Sequence, residues 1–575
     1  MVREKSLDIY LEEIQDHISH GRFNEALLNI KEAISYFPTH TKLYINCGNL
    51  QHYLGLLDDA EKSFKTAREL FESKEVLNNL GVVYIDKQMY DSAIDFLEKS
   101  LDLDSFYPDA LYNLSVCHDR KGNYENTLTY LEKCLDVDNG HLKANMLLFR
   151  TCQNTCNWKR LNKLKTKIEN LNINGYEHPF LNVSRCDDEK SNYNNATLWH
   201  KINYQHNITI QQKELSKNNN KKSVGFICGE MRNHPTFYLI KNMFQYLDKG
   251  AFDYYFFTYN HDQEYLNYIE KHLSRVVDIN NKSDDQIENV VRKHNLDVLI
   301  DLSVHIPHNK MNVVNRKLAR KTISYLGFPG SSGSDNYDYI IADKIVIPED
   351  KQEFYTEDVL YLPSIYQVND GMKKYPNNKS SKNDYSLPEE KIILSCFNQS
   401  FKIEEDIFKC WIQILKRNEN TVLWLLEDNT LMKQYIVEYL SKVELDVSRV
   451  IFAQRIPRDA HIERLSLSDI VLDTKTYNGH TTTTDAIQSG VPVVTVSGQH
   501  FASRVSHSIL NSVGLNELVT HNLRDYTEKI HLLVNDTEQR LALCKKLKNE
   551  QAMKSFYDVK QFTKNFEEAI STVMN

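Results

Sequence analysis

Two patterns of apolar and polar residues divide this chain. Up to about residue 140 the apolar positions fall in amphipathic blocks that recur along the sequence. From Ser223 onward, short unbroken apolar runs alternate with longer amphipathic ones. The first pattern predicts packed helices. The second predicts strands alternating with helices, because a strand covered on both faces reads as a continuous apolar run. The predicted strands are VGFIC (224–228), DYYFFTY (253–259), LDVLIDL (296–302) and TISYLG (322–327), then IILSCF (392–397), VLWLLE (422–427), RVIFA (449–453), DIVLDT (469–474) and PVVTV (492–496). Stretches such as DIFKCWIQILKRN and RLALCKKLKNEQAM supply helices. The alternation implies two doubly wound halves of parallel sheet with a cleft between them. Ligands of such sheets bind outside the carboxyl ends of the strands.

The recurring blocks have a fixed period. GRFNEALLNIKEAI begins at Gly21 and GLLDDAEKSFKTAR at Gly55; Gln88 and Gly122 take the same place in the next two copies, at steps of 34, 33 and 34 residues. A second landmark, Gly48, Gly81 and Ser115, repeats at steps of 33 and 34. This is the tetratricopeptide period, and it predicts an N-terminal α-solenoid of about four repeats. Ala26, Ala60 and Ala93, with Thr127 in the fourth copy, sit where paired helices approach closely. Pro38 and Pro108 fall between repeats, where a helix has to stop. Stacked pairs leave a concave surface suited to a polypeptide partner; a spacer or dimerisation arm is the alternative. His141 to Leu171 reads as a further, degenerate helix pair. LNINGYEHPFLNVSRCDDEKSNYNNATLW reads as a turn-rich polar linker, KELSKNNNKKS (213–223) as an exposed loop, and the polar segment 370–391 as the separator of the two halves. The expected domains are repeats over 1–140, a degenerate repeat and linker over 141–222, a first α/β half over 223–385, and a second over 386–575 with C-terminal helices.

Composition adds little but exclusions. Apolar residues are 41% and charged residues 26% of 575, ordinary for a globular protein. A net charge of −9 argues against binding nucleic acid over the whole surface. No apolar leader or run of 18 apolar residues occurs, so neither a signal peptide nor a membrane span is expected, and the expected location is cytoplasmic. Ten cysteines without CxxC pairs are expected to be reduced thiols, and no zinc-ligand spacing is present.

The chemistry concentrates in YNGHTTTTDAIQSGVPVVTVSG (477–498). Asp473 ends a strand, Gly479 permits an unusual turn, and TTTTDAIQS starts a helix that Gly490 and Pro492 end. The threonines therefore occupy a helix N-terminus, where backbone N–H groups lack partners and the dipole is positive. Hydroxyls add donors, so a phosphate fits; a plain helix cap is the competing reading. There is no GxxxxGK[ST] and no GxGxxG, which disfavours ATPases and dehydrogenases.

These residues also carry a family resemblance. NHPT (233–236), LGFPGSSG (326–333), DYIIAD (338–343), LPEEKIILSCFNQSFKI (387–403), DIVLDTKTYNGHTTTTDAIQSGVPVVT (469–495) and ASRVSHSIL (502–510) resemble, in order and spacing, the catalytic region of the protein O-linked N-acetylglucosamine transferases. The resemblance runs from Val224 to the C-terminus, and a repeat array ahead of it is that family's arrangement. The array is short and the long insertion of animal members is absent, as in bacterial or other short members. The resemblance implies a GT-B glycosyltransferase fold of two Rossmann-like domains, the first on the acceptor side and the second binding nucleotide sugar. It implies inverting transfer of N-acetylglucosamine from UDP-GlcNAc to Ser or Thr of proteins.

Carried over residue by residue, the resemblance implies that Gln399 and Lys402 contact the donor, with Lys402 stabilising the leaving diphosphate. Arg458, His461 and Arg464 fall where the family holds uridine, and helical spacing places His461 and Arg464 on one face. His480, Thr481 and Thr482 would hold the phosphates and Asp485 the ribose hydroxyls. His234 matches the histidine beside the acceptor hydroxyl; the base is either that histidine or a donor phosphate oxygen. Asp301 and His305 are expected to line the cleft. No DxD cluster is present from Ser223 onward, so no metal is expected, and no cofactor beyond the sugar-nucleotide substrate. The threonine run also resembles plant relatives that transfer fucose. Alternatives are therefore a related transferase using UDP-glucose or GDP-fucose, and a non-catalytic repeat scaffold.

Overall fold

The computed structural model describes residues 5–170, 177–204, 221–369 and 380–574. They form two compact units. The first is Met1–Thr151 with Asn162–Ile173 and Lys282–Gln286; the second is Cys152–Leu161, Asn174–Asn281 and Ile287–Asn575.

The first unit is built from helix pairs: Leu7–Ser19 with Phe23–Tyr36, Thr41–Tyr53 with Leu57–Leu70, Lys74–Asp86 with Tyr90–Leu103, and Pro108–Arg120 with Tyr124–Val137. The predicted degenerate pair follows as Leu142–Asn154 and Trp158–Asn170. Its inter-helix turn, Cys152–Leu161, belongs to the second unit. Ala26, Ala60, Ala93 and Thr127 are fully buried, as the period requires. A Cβ on Gly48 would stand 2.7 Å from the Phe64 ring, and one on Gly81 2.6 Å from Leu97. Between the helices of a pair the chain turns through a left-handed residue: Gly21 (φ 70°), Gly55 (φ 74°) and Gly122 (φ 71°), with Gln88 (φ 61°) bearing a cost of about 1 kcal/mol for its side chain. Pro108 opens a helix at its first position, where its missing N–H is no loss, rather than ending one.

The second unit holds two parallel sheets. The first has β1 (Lys222–Cys228), β2 (Phe252–Thr258), β3 (Val276–Asp278), β4 (Leu296–Asp301), β5 (Ala319–Ser324), β6 (Tyr339–Ala342) and β7 (Asp358–Tyr361). Its order is β3-β2-β1-β4-β5-β6-β7. The second has β8 (Ile392–Cys396), β9 (Thr421–Leu426), β10 (Val450–Ala453), β11 (Ile470–Leu472), β12 (Val493–Val496) and β13 (Val519–Thr520), in the order β10-β9-β8-β11-β12-β13. In both, the order reverses between the first strand and its central neighbour, β1/β4 and β8/β11. Those switch points are where a doubly wound sheet opens a crevice. All nine predicted strands are present. β3, β6, β7 and β13, two to four residues each, were too short to read as apolar runs.

Several expectations are corrected here. The strand expected at 322–327 ends at Ser324, because Leu326 turns left-handed (φ 69°) and Gly327 passes so close to the Leu302 carbonyl that a Cβ would stand 2.1 Å from it. The stretch read as polar linker contains helices Pro179–Val183 and Glu189–Asn203, capped by the side chains of His178 and Asp188. Of their apolar residues Leu181, Val183 and Ala196 are buried, Phe180, Leu198 and Trp199 half-buried and Ile202 exposed. Residues 213–220 of the expected loop and 370–379 of the separator lie outside the described residues; Lys222 and Ser223 open β1. RLALCKKLKNEQAM is divided between Thr537–Leu547 and Glu550–Met553. The last helix, Val559–Thr572, packs on the first sheet: Phe566 stacks 6.4 Å from Phe226, and Glu567 accepts from Tyr254 Oη and, at 2.7 Å, from Asp248 N. The two halves meet through Gln367 Nε2, which donates to Thr484 Oγ1 at 2.8 Å, and Ser508 Oγ, which donates to Asp343 Oδ2 at 2.6 Å. Among the described residues no helix is long and apolar enough to cross a membrane.

Candidate active site

At the second switch point a buried carboxylate shapes the loop. Asp473, just after β11 and 1% exposed, accepts with Oδ1 from Gly479 N (2.6 Å), Thr474 N (2.8 Å) and Asn398 Nδ2 (3.1 Å), and with Oδ2 from Thr495 Oγ1 (2.7 Å). Asn398, just after β8, in turn accepts from Thr482 Oγ1 at 2.6 Å. Asp473 and Asn398 thus tie the two strand ends to the helix Thr481–Gln488. Gly479 is needed for room and not for a left-handed backbone: a Cβ there would stand 2.5 Å from Thr483 Oγ1.

The threonine run divides by function. Thr483 Oγ1 donates back to the Gly479 carbonyl at 2.9 Å, and Thr484 Oγ1 accepts from Gln367. Both are buried, so they brace the helix and are not outward donors. Thr481 and Thr482 are half-buried at its start. The first intrahelical bond runs from Thr484 N to the His480 carbonyl at 3.1 Å, so the N–H groups of Thr481 to Thr483 precede it, as an anion site requires. Gly490 (φ 74°) ends the helix as expected.

Around that helix start stand a cation and a histidine. Lys402 Nζ lies 4.3 Å over the Tyr477 ring and donates to the Asn478 carbonyl at 2.9 Å. His480 stacks on the same tyrosine at 4.8 Å. Burial, and then the Lys402 ammonium, push the His480 pKa well below the ordinary imidazole range, so the ring is neutral; a bond to the Ala502 carbonyl opposes the shift. His480 Nε2 is buried and has no hydrogen-bond partner among the described residues. Gln399 is exposed beside this site, at the start of the turn Ser400–Lys402.

The helix Arg458–Leu465 supplies the next group. Arg458 Nη2 pairs with Asp485 Oδ1 at 2.6 Å, and its guanidinium lies 5.0 Å from the Tyr238 ring of the first half. Arg464 Nε donates to His461 Nδ1 at 3.1 Å, bearing out the shared face, and Arg464 Nη1 donates to the Gln454 carbonyl at 2.6 Å. Arg464 is 2% exposed between Phe397 and Trp424, so it positions His461 from behind. Burial and the neighbouring arginines push the His461 pKa down to about 3. Accepting at Nδ1 places the ring proton on Nε2.

In the first half, His234 caps the helix Pro235–Ile240, its Nδ1 accepting from Thr236 N at 3.3 Å. Glu230 Oε2 lies 3.7 Å from the same nitrogen and pairs with Arg232 Nη2 at 2.9 Å. Burial, with Arg232, lowers the His234 pKa to about 4. Asp301 and His305 are corrected: they are 2% and 0% exposed and face the interior, not a cleft. Asp301 Oδ1 accepts from Ser303 N (2.8 Å) and Val304 N (3.2 Å), holding the loop after β4 in a shape that keeps Val304 left-handed (φ 49°). His305 Nε2 meets the Ser332 carbonyl at 2.8 Å.

Asn398 and Asp473, the latter read only as a strand end, were missed as site residues, as were Tyr477, Tyr238 and Glu230. The signal for the first two was a polar residue directly after an apolar strand. The site combines a cation, neutral imidazoles and helix N–H groups, suited to a diphosphate, with a carboxylate–guanidinium pair alongside. Among the described residues no group of three or more His, Cys, Asp or Glu could hold a metal ion.

Residues 190–380 and 377–566 match Glycosyl transferase family 41, and residues 74–107 and 108–141 match the tetratricopeptide repeat. The chain is similar to a probable UDP-N-acetylglucosamine–peptide N-acetylglucosaminyltransferase SEC of Arabidopsis thaliana, 30% identical over 360 residues, 61% of this chain and 37% of that one. It is similar to the UDP-N-acetylglucosamine–peptide N-acetylglucosaminyltransferase of Caenorhabditis elegans, 32% identical over 191 residues, 33% of this chain and 17% of that one. The matched part of the chain thus spans little more than a third of the first of these relatives and about a sixth of the second. An O-GlcNAc transferase of Thermobaculum terrenum, solved as a point mutant, shares the fold with a TM-score of 0.67 over 93% of this chain and 97% of that chain, at 20% identity.

Proposed function

We propose that this chain, which belongs to glycosyl transferase family 41, transfers N-acetylglucosamine from UDP-GlcNAc to Ser or Thr hydroxyls of proteins with inversion. The observation that carries the reading is Lys402 and His480 sharing Tyr477 at the start of the helix Thr481–Gln488. A diphosphate seated there meets an ammonium and helix N–H groups, which stabilise the negative charge that develops on the departing UDP, and His480, which joins them as a donor once it takes up a proton. We assign Gln399 and Lys402 to the donor, His480, Thr481 and Thr482 to its phosphates, Asp485 to the ribose, and Arg458 and His461 to the uridine side. Arg464 acts through His461. With that cationic cradle, no divalent cation is required. The helix-pair array presents the protein substrate.

In this reading the hydroxyl oxygen attacks the anomeric carbon as the bond to the diphosphate oxygen breaks, in one in-line step. The hydroxyl proton goes to a donor phosphate oxygen. His234 Nδ1 accepts from the Thr236 N–H, so the neutral ring carries its proton on Nε2 and can donate a hydrogen bond there. The test is incubation of the purified chain and an acceptor protein with labelled UDP-GlcNAc, UDP-glucose and GDP-fucose. Transfer of N-acetylglucosamine alone supports the reading. Transfer from another donor overturns the sugar, and no transfer or hydrolysis of any donor, with partner binding intact, leaves a scaffold.

A further inference from the structure

The short turn Ser400–Lys402 is held at both ends by residues that precede the two sheets in sequence. At its start, Ser400 Oγ lies within donating distance of both the Asn154 carbonyl and, at 2.9 Å, Asp428 Oδ2, and Cys156 Sγ lies 3.6 Å from the Ser400 carbonyl. Just past its end, Trp158 Nε1 donates to the Ile403 carbonyl at 2.9 Å. Asn429 Nδ2 reaches the same Asn154 carbonyl at 2.8 Å, and Asp428 Oδ2 accepts from Ser400 N at 3.0 Å, which close the frame from the other side. Trp158 is 5% exposed, with its ring 4.8 Å from Phe408 and 5.2 Å from Tyr439. Cys156 adopts a left-handed backbone (φ 53°) that turns the chain between these contacts. All of these residues belong to the second unit.

We propose that the Asn154–Trp158 turn is a positioning element of the donor site: it sets where the Lys402 ammonium stands against the leaving diphosphate. Nothing in the region's repeat character requires this. A plain inter-helix turn would leave its carbonyl to solvent and its tryptophan to hydrophobic packing. Here both serve as hydrogen-bond partners to the backbone or hydroxyl of the lysine-bearing turn, one at each side. Lys402 is two residues from Ser400 and one from Ile403, so these bonds fix the backbone from which its side chain reaches the Asn478 carbonyl and the Tyr477 ring. A reacting group displaced by about 1 Å can lose on the order of a hundredfold in rate. The inference rests on the assignment of Lys402 to the donor diphosphate.

The experiment uses the full chain and three substitutions. Trp158→Phe keeps the aromatic packing and removes the N–H. Ser400→Ala removes the hydroxyl contacts at the other end, to the Asn154 carbonyl and to Asp428, while the Ser400 N–H bond to Asp428 stays. Lys402→Ala removes the ammonium itself. UDP affinity is measured by calorimetry, kcat and KM by donor hydrolysis and protein transfer, and folding by thermal melts. Trp158→Phe and Ser400→Ala are each expected to weaken UDP binding and lower kcat by about three- to tenfold, with the acceptor KM unchanged, as for a misplaced charge. In the Lys402→Ala background neither should cost anything further, because a residue that acts only through Lys402 has nothing left to position. Losses that multiply with that of Lys402→Ala, or wild-type UDP affinity and kcat in both single variants, would overturn the inference. If the unaltered chain binds no UDP, the donor-site assignment fails and the inference falls with it.

Discussion

Arg458 and Asp485 form a buried ion pair, with Nη2 2.6 Å from Oδ1 and side chains 11% and 8% exposed. The two residues come from different helices, Arg458–Leu465 and Thr481–Gln488, and both were assigned to the nucleoside end of the donor. Their pairing makes the carboxylate's orientation depend on the guanidinium. Asp485→Ala leaves Arg458 buried without its carboxylate, which costs about 3 kcal/mol or more in comparable pairs. The expected result is a lower denaturation midpoint together with weaker UDP binding. Wild-type stability and affinity in that variant would refute the coupled role.

Lys402→Ala removes the cation opposite the diphosphate. A lost electrostatic stabiliser costs roughly a hundredfold or more in kcat. Donor hydrolysis and protein transfer should fall together, since both require departure of UDP. Activity of the unaltered chain should persist in EDTA, because Lys402 and the helix N–H groups carry the charge. Near-normal turnover in Lys402→Ala, or a strict requirement for Mn²⁺ or Mg²⁺, counts against this site.

His480 should take up a proton when UDP binds. Its Nε2 has no partner among the described residues, so the bond to the Ala502 carbonyl is made by Nδ1–H, and neutral Nε2 bears only a lone pair. Two phosphates bring negative charge to that nitrogen and favour the imidazolium, which can donate. Calorimetry near pH 7 in buffers of different ionisation enthalpy measures the uptake directly. The expected value is up to one proton, abolished in His480→Asn. No uptake in the unaltered chain means that Nε2 does not meet the phosphates as an acquired donor.

Acid should weaken the fold through half-buried histidines held neutral. His461 has its pKa pushed down to about 3 and His234 to about 4, both below the ordinary value of 6.5. In the interval between, the unfolded chain binds more protons than the folded one, so stability rises with pH. The contribution is complete above pH ~6.5 and is lost as the pH falls toward the folded values. Chemical denaturation from pH 7 down to about 5 should show the slope, and His461→Phe should flatten it by up to one proton. An unchanged slope in that variant would mean His461 is not held neutral by the fold. For the same reason His234 should add no limb to the pH–rate profile between about pH 5.5 and 8.

How far the sequence reached is visible in single residues. The 34-residue step located Ala26, Ala60 and Ala93, because helices that pack in register demand a small residue at one phase of every repeat. The same step placed Gln88 in a slot otherwise held by glycine, and the backbone there is left-handed all the same (φ 61°). His461 and Arg464 met as predicted, three residues apart on one helix. Asp301 and His305 were misplaced because a polar residue at a strand end looks the same in sequence whether it faces a cleft or anchors its own loop. The threonine run shows the same limit. Helical phase puts Thr483 and Thr484 on buried faces, where their hydroxyls answer Gly479 and Gln367, and only the neighbouring chain reveals which faces are buried.

By itself the sequence determined what periodicity and local chemistry encode: helix pairs at a fixed repeat, strands as unbroken apolar runs, and a helix start rich in donors after a strand. Each is a property of residues within one or two turns or strands of each other, where backbone geometry sets spacing directly. Only the tertiary structure decided which distant groups share a site. The Asn154 carbonyl and Trp158 Nε1 reach Ser400 and Ile403 across about 245 positions, and Tyr238 meets Arg458 across about 220. Side-chain contacts of this kind act over a few ångströms in space and leave no periodic trace along the chain, so they arise when the two sheets and the segments before them pack.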